Sequence, residues 1–302
     1  MSIRFDGRVA IVTGAGNGLG RSHALQLAAR GAKVVINDLG GARDGSGSSL
    51  SAAEKVVEEI RAAGGEAMAN GASVTDEKAV ADMVDAALKA WGRVDILVNN
   101  AGILRDKSFG KMSLEDFHAV IEVHLMGGAI CSHAVWNVMR EQNYGRIVMT
   151  TSSSGLYGNF GQSNYAAAKM GLVGLMQTLS LEGAKNDIRV NCLAPTAMTR
   201  MTGDILPPAI TDHFKPEFVT PAVLFLVSEK APNRCIMTAG AGTFAVANVT
   251  MTQGLALGTG ADTVEKIAAR FDGLADRAGE IVPGSGVEQS QNELTKRGVK
   301  LG

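Results

Sequence analysis

The sequence predicts an α/β fold: one doubly wound domain with a parallel sheet of about seven strands, and a C-terminal extension. Short apolar runs alternate with stretches of helical periodicity along most of the chain. A glycine-rich turn, TGAGNGLG, directly follows the first apolar run. A hydrophobic content of 46% in 302 residues suits a single large core. Together these observations favour alternating strands and helices over any all-α or all-β arrangement.

Strands are expected where short apolar runs are bounded by turn residues. The predicted strands are residues 9–12, 33–37, 66–70, 94–99, 146–151, 189–194 and 237–239, with helices between them. Thr75 is expected to cap the helix that follows it. The pattern weakens beyond Val249 and becomes amphipathic again over 263–278. We therefore predict a main domain at 1–249 and an extension at 250–302 that packs on it or on a second copy.

The glycine-rich turn stands between a predicted strand and a predicted helix, which is the arrangement of a phosphate site. Bare backbone allows a pyrophosphate to approach the free amides at the helix N-terminus. The residues expected to contact a dinucleotide here are Gly14, Asn17, Gly18, Leu19 and Gly20.

Asp38 ends the second predicted strand, about twenty residues beyond the glycines, where a carboxylate would meet the adenine ribose hydroxyls. A carboxylate there repels the additional phosphate of NADP, and neither Asn17 nor Leu39 offers a base to bind it. The sequence therefore favours NAD. Arg43 keeps NADP open as an alternative, because it lies on a glycine-rich loop and can swing inward. A simple strand-end turn is the other interpretation of Asp38.

The segment ILVNNAG at 96–102 carries polar residues directly after an apolar run. Amides at a strand terminus can brace neighbouring strands and line a cofactor cleft at the same time. Asn100, Ala101 and Gly102 are therefore expected to line the cleft.

Tyr165 and Lys169 lie four residues apart, so they share one face of a predicted helix. A phenol titrates near pH 10, and its use as a base near neutrality requires about 4 kcal/mol of stabilisation of the anion. One positive charge about 5 Å away supplies roughly 3 kcal/mol. Lys169, together with an oxidised nicotinamide nearby, is therefore expected to make the Tyr165 phenol acidic. Taken alone, the pair is also typical of an ordinary surface contact.

Together, TGAGNGLG, NNAG, Ser152 and YAAAK resemble the short-chain dehydrogenase/reductase family over about residues 2–249. The resemblance implies an oxidoreductase with a nicotinamide cofactor. It implies that Ser152, thirteen positions before Tyr165, binds the substrate oxygen, with Ser153 and Ser154 as near alternatives. It also implies that Tyr165 and Lys169 contact the cofactor, Lys169 through the nicotinamide ribose. Further cofactor contacts are implied for Ser73, Val74, Pro195, Ala197 and Thr199.

Longer stretches, among them NDLGGARDGSG, AGILRDKSF, VHLMG and YGNFGQSNYAAAK, are similar to the (3R)-hydroxyacyl-CoA dehydrogenase unit of peroxisomal multifunctional enzymes of type 2. This implies oxidation of a (3R)-3-hydroxyacyl-CoA to a 3-oxoacyl-CoA in fatty-acid β-oxidation. A hydroxysteroid dehydrogenase and a 3-oxoacyl thioester reductase are alternatives, and a non-catalytic NAD-binding protein is a remote one.

His124 stands where many members of the family carry a catalytic Asn, forty-one positions before Tyr165. Two interpretations are open. His124 holds the relay water or the helix carbonyl that the Asn would hold, or it is an interior histidine without a part in proton transfer.

Charge and cysteine content exclude several classes of function. A net charge of −1 provides no basic field for nucleic acid or an acidic membrane. The three cysteines lack metal-ligand spacing, so no metal is expected. We expect no secretory leader and no apolar stretch long enough to cross a bilayer, so a cytoplasmic protein with a small-molecule substrate is predicted. The small residues at 166–171 favour close helix packing and a homodimer, with a tetramer also possible.

Overall fold

The computed structural model describes residues 2–198 and 208–299. Within these ranges the strands are β1 Val9–Thr13, β2 Lys33–Asn37, β3 Ala67–Asn70, β4 Ile96–Asn99, β5 Gly145–Thr150, β6 Ile188–Thr196, β7 Ile236–Gly240 and β8 Thr243–Ala247. The first seven agree with the predicted strands to within two residues at either end. The eighth was not expected. It follows β7 through Ala241 and Gly242, whose φ values of 50° and 71° are typical of a two-residue hairpin turn.

The strands form one sheet in the order β3-β2-β1-β4-β5-β6-β7-β8. All pairings from β3 through to β7 are parallel. Strands β1, β4 and β5 are buried at every position, as expected for a parallel sheet covered by helices on both faces. The predicted fold class is therefore confirmed, with an additional edge strand.

The helices of the main part are α1 Gly18–Ala29, α2 Ser51–Ala62, α3 Glu77–Trp91, α4 Leu114–Ile121, α5 Gly127–Gln142, α6 Ser153–Tyr157, α7 Ser163–Gly183 and α8 Thr220–Leu226. Helix α1 packs against α2 and α8, whereas α5 packs against α3 and α7. The two groups form the two layers that cover a doubly wound sheet.

Asp76, and not Thr75, caps α3. The Asp76 carboxylate accepts a hydrogen bond from the Ala79 amide at 3.0 Å, while the Thr75 hydroxyl pairs with Ser73 at 2.8 Å. The expected cap was therefore wrong by one residue. Both side chains are suitable caps, and the position of the first helical turn decides between them.

Helices α4 and α5 are joined by one π-helical turn, Glu122–Met126, into a continuous helix from Leu114 to Gln142. By length and composition this helix could cross a membrane, so the expectation that no stretch reaches that length was wrong. Its buried side chains include Val120, Cys131 and Val135. An apolar helix of this kind is equally typical of the core of an α/β domain.

The chain divides into two compact units, Met1–Val246 and Ala247–Gly302. The second unit contains α9 Thr263–Ala269, α10 Phe271–Ala275 and α11 Gly286–Lys296. Two short helices thus replace the single one expected over 263–278, because the backbone leaves helical geometry at Arg270. The domain assignment of 1–249 and 250–302 stays a prediction.

Candidate active site

A pocket lies at the carboxyl ends of β1 and β4, where the chain leaves neighbouring strands in opposite directions. This is the point at which doubly wound folds bind their ligands. The pocket holds about 1110 Å³ of empty space, part of it open to solvent. Most of the predicted cofactor residues line it: Gly14, Asn17, Gly18, Leu19, Asp38, Ser73, Val74, Asn100, Ala101 and Gly102.

The glycine-rich turn is shaped for close backbone approach. Gly14 has a φ of 63°, and a Cβ there would lie 2.9 Å from the Ala101 Cα. A Cβ at Gly20 would overlap the carbonyl oxygen of Gly14. Asn17 precedes α1 and makes no side-chain capping bond, so the first amides of the helix face the pocket without a cap. Tight glycines and uncapped amides fit a pyrophosphate group.

Thr13 joins the glycine-rich turn to the NNAG segment. Its hydroxyl accepts hydrogen bonds from the amides of Asn100 and Ala101, both at 3.0 Å. The Asn100 side chain donates in return to the carbonyls of Thr13 at 3.0 Å and Gly14 at 3.1 Å. The NNAG segment therefore braces the strands and lines the cleft, as expected. Sequence reasoning assigned no role to Thr13 itself, a polar residue at the buried end of a strand.

Asp38 is held at the rim of the pocket by two backbone amides. One carboxylate oxygen accepts from Gly16 and the other from Gly40, each at 2.7 Å. Each oxygen keeps a second lone pair that can accept a ribose hydroxyl. The turn-forming and the ligand-binding interpretations of Asp38 are therefore compatible.

Tyr165, Lys169 and Ser152 come together, and Lys169 lines a small cavity that shares Ala101 and Val123 with this pocket. The Lys169 Nζ lies 5.4 Å from the centroid of the Tyr165 ring and donates a hydrogen bond to the Thr150 carbonyl at 2.6 Å. Ser152 follows β5, and its hydroxyl accepts from the Ser154 amide at 3.1 Å. Ser153, one of the alternatives to Ser152, is exposed.

Burial dominates the charge states of this group. It raises the pKa of Tyr165 to about 12, although a hydrogen bond with Ser152 acts in the opposite direction. Burial also lowers the pKa of Lys169 to about 7. Lys169 therefore does not by itself make this phenol acidic, because loss of hydration opposes the anion and the ammonium alike, and its action together with a bound nicotinamide stays a prediction.

His124 lies in the middle of the π-helical turn, and only 4% of it is exposed. Its Nε2 is 3.1 Å from the Ile103 amide and 2.8 Å from the Ile103 carbonyl. The ring meets the Tyr165 ring edge-on, with centroids 5.1 Å apart. Burial holds the pKa of His124 well below its ordinary value, so the imidazole is neutral. Its partner is therefore a loop residue and not the helix carbonyl considered above.

The remaining predicted contacts, Pro195, Ala197 and Thr199, belong to the end of β6 and the segment after it. Pro195 is paired with Ala239 inside the sheet, and Ala197 is buried just beyond the end of β6. Thr199 lies outside the described residues. Two nearby residues, Gln162 and Asp106, were not identified from the sequence. Gln162 donates a hydrogen bond to Asp106 and accepts one from the Ser154 hydroxyl.

Comparisons with known proteins agree with this geometry. A model of the short chain dehydrogenase family matches residues 8–207. A short-chain type dehydrogenase/reductase of Mycobacterium tuberculosis is 50% identical over 285 residues, which cover 92% of this chain and 97% of that protein. Peroxisomal multifunctional enzyme type 2 of Drosophila melanogaster is 56% identical over 227 residues, 75% of this chain and 38% of that enzyme.

Solved structures show the same architecture. The full-length Drosophila enzyme aligns with a TM-score of 0.81 at 39% identity, covering 99% of this chain and 51% of that chain. The chain thus spans about half of that structure. A 7α-hydroxysteroid dehydrogenase, complexed with NADH and 7-oxo glycochenodeoxycholic acid, aligns with a TM-score of 0.72 at 31% identity, covering 79% of this chain and 95% of its own.

Proposed function

Since the chain belongs to the short-chain dehydrogenase family, we propose that this oxidoreductase uses NAD to oxidise a secondary alcohol, and that its substrate is a (3R)-3-hydroxyacyl-CoA. The observation that carries the reaction is the grouping of Tyr165, Lys169 and Ser152, with Lys169 lining a small cavity next to the pocket at β1 and β4. The similarity to multifunctional enzyme type 2 supports the acyl-CoA substrate.

The proposed chemistry separates a proton from a hydride. When bound, the oxidised nicotinamide accepts the hydride of the carbinol carbon and brings a positive charge. The Tyr165 oxygen takes the hydroxyl proton, and Ser152 donates a hydrogen bond to the substrate oxygen. Lys169, when protonated, offsets the cost of the buried phenolate. The product is a 3-oxoacyl-CoA, and the reverse direction uses the same groups.

His124 is proposed to position other groups, without transferring a proton itself. A neutral ring that pairs with Ile103 and packs edge-on against Tyr165 can fix the phenol relative to the cleft. A glycine at 102 is needed for this arrangement, since any Cβ there would overlap the imidazole.

Asp38 supports NAD over NADP. Its carboxylate is fixed by two amides at the rim of the pocket, where it would face an additional ribose phosphate. Arg43 also lines this pocket. Asp38→Ser should therefore lower the ratio of kcat/KM for NAD to kcat/KM for NADP by at least about tenfold. This is the effect expected when the repulsion between one carboxylate and the additional ribose phosphate is lost. Asp44→Ser, a change in the same loop, is the matched control. An unchanged ratio of kcat/KM for NAD and NADP would contradict the role of Asp38.

The reaction is tested by NADH formation from (3R)- and (3S)-hydroxyacyl-CoAs of several chain lengths. Tyr165→Phe should abolish turnover and preserve NAD binding, whereas Tyr157→Phe, on an exposed ring, should change neither. Turnover by Tyr165→Phe would eliminate the proposed base. Activity with only the (3S) series would overturn the substrate. Activity only with hydroxysteroids or carrier thioesters would favour the alternatives that use the same residues.

The homodimer and the cytoplasmic location stay predictions. The oligomeric state is directly measurable by sedimentation of the purified chain.

A further inference from the structure

A chain of hydrogen bonds runs behind Ser152. The buried Gln162 side chain donates from Nε2 to Asp106 at 2.6 Å. Its Oε1 accepts from the Ser154 hydroxyl at 2.8 Å and from the Asn159 amide group at 3.0 Å. The Ser154 backbone amide then donates to the Ser152 hydroxyl oxygen at 3.1 Å. The path therefore connects an exposed carboxylate with the serine that faces Tyr165.

The chemistry of the carboxylate gives this path a direction. An ionised carboxylate can only accept, so Gln162 must present its NH₂ group to Asp106 and its carbonyl to Ser154. The Ser154 hydroxyl therefore donates its proton to the Gln162 carbonyl oxygen. Ser152 accepts from the Ser154 amide and keeps its own hydroxyl proton for another partner. That proton is free to point toward the Tyr165 oxygen and the substrate.

We propose that Gln162 is a positioning residue for alcohol oxidation: oriented by Asp106, it holds Ser154 so that Ser152 presents its proton to Tyr165 and the substrate oxygen. The inference rests on the proposed function for the reaction class, but not on the acyl-CoA substrate.

A second feature of the backbone supports the same role. Gln162 immediately precedes α7 and lies three residues before Tyr165. The loop that carries Asp106 is also tied to this turn, through the Lys107 amide and the Gly161 carbonyl at 3.0 Å. Gln162 therefore lies at the start of the helix with the phenol and, through its side chain, holds the turn with the serine.

Four variants distinguish the orientation of the Gln162 side chain from the effects of its size and of the charge of Asp106. Gln162→Met keeps the shape of the side chain and removes its hydrogen bonds. Asp106→Ala removes the acceptor, whereas Asp106→Asn keeps an oxygen that Gln162 can still donate to. Asn159→Ala deletes the outer bond to the same Gln162 oxygen and serves as the matched control, since Asn159 is exposed.

We expect Gln162→Met and Asp106→Ala to lower kcat about tenfold with little change in KM, as when one orienting hydrogen bond is lost. Asp106→Asn and Asn159→Ala should stay within about twofold of the parent enzyme. Equal damage by Asp106→Asn and Asp106→Ala would overturn the proposal, and so would an unchanged kcat in Gln162→Met. If Gln162→Met fails to fold, the two Asp106 variants decide the outcome.

A spectroscopic titration provides a readout without substrate. The tyrosinate absorbance of the NAD-bound protein, with that of Tyr165→Phe subtracted, reports the ionisation of Tyr165. Because the bond with Ser152 lowers the pKa of Tyr165 and the charge of Asp106 raises it, Gln162→Met should move the titration to higher pH and Asp106→Asn to lower pH. Shifts in the same direction, or none, would overturn the proposal. If hydroxyacyl-CoAs are not turned over, only the proposed substrate fails, and this titration still tests Gln162.

Discussion

Replacing Lys169 by Met should make the reaction depend on pH in a new way. The Lys169 Nζ lies 5.4 Å from the centroid of the Tyr165 ring. At an effective dielectric constant of about 20, a charge at such a distance stabilises the phenolate by about 3 kcal/mol, or roughly two pKa units. Without it, the ionisation of Tyr165 should move up by that amount. Oxidation should then fall about a hundredfold near pH 7.

The assay is kcat/KM for alcohol oxidation, measured from about pH 6 to pH 10. In the Lys169→Met variant the loss of kcat/KM should shrink as pH rises, because Lys169 of the parent protein, whose pKa burial lowers to about 7, then loses the charge that the variant lacks. Dissociation constants for NAD, measured in parallel, separate this effect from any lost ribose contact. Lys185→Met, a change on an exposed residue, is the control.

Two results would refute this reasoning. A loss that is equal at every pH would mean that Lys169 acts through binding or structure and not through its charge. An unchanged dependence of kcat/KM on pH would mean that the charge of Lys169 does not stabilise the Tyr165 phenolate. The thermal unfolding midpoint of the Lys169→Met variant should not fall below that of the parent protein. Burial of the charged ammonium is unfavourable, as its pKa of about 7 indicates, and Met removes this unfavourable contribution.

Burial lowers the pKa of His23 to about 3, so the folded protein binds fewer protons there than the unfolded chain between that value and about 6.5. The free energy of unfolding should therefore fall as pH drops below about 6.5, by about 2–3 kcal/mol at pH 4.5. In urea unfolding, His23→Leu should reduce this dependence on pH, whereas the same change at the exposed His133 should not. Gly20→Ala should weaken NAD binding at least tenfold in titrations, because its Cβ would overlap a backbone carbonyl. Gly174→Ala, with open space around the Cβ, should leave binding unchanged and raise stability by about 0.5–1 kcal/mol; the reverse pattern would contradict the role of the turn.

The sheet and the cofactor pocket were predictable because their signals are local. Apolar runs mark buried strands, and the carboxyl ends of parallel strands gather polar residues such as Asp38 and Asn100 at one edge. The eighth strand was missed because its side chains are mostly exposed and its turn, Ala241 followed by Gly242, lacks the usual Asn-Gly signal.

The remainder of the site depends on contacts that the sequence does not display. Asp106 and Gln162 are separated by 56 positions, and no motif links them. The pKa of Tyr165 could not be predicted from the sequence either, because it depends on how deeply the fold buries the phenol and not only on Lys169 four residues away. His124 could be located from the spacing, but its partner Ile103 belongs to another loop.

The π-helical turn at Glu122–Met126 places one surplus residue inside a long helix. Deleting a single residue there would restore α-helical geometry, because the surplus residue is what widens the turn. The deletion would also change the position of the His124 imidazole, which lies within the turn, relative to Ile103. Mutations meant to stabilise this protein by making its helices regular should therefore leave the π-helical turn unchanged. The irregular backbone of that turn places His124 beside Tyr165.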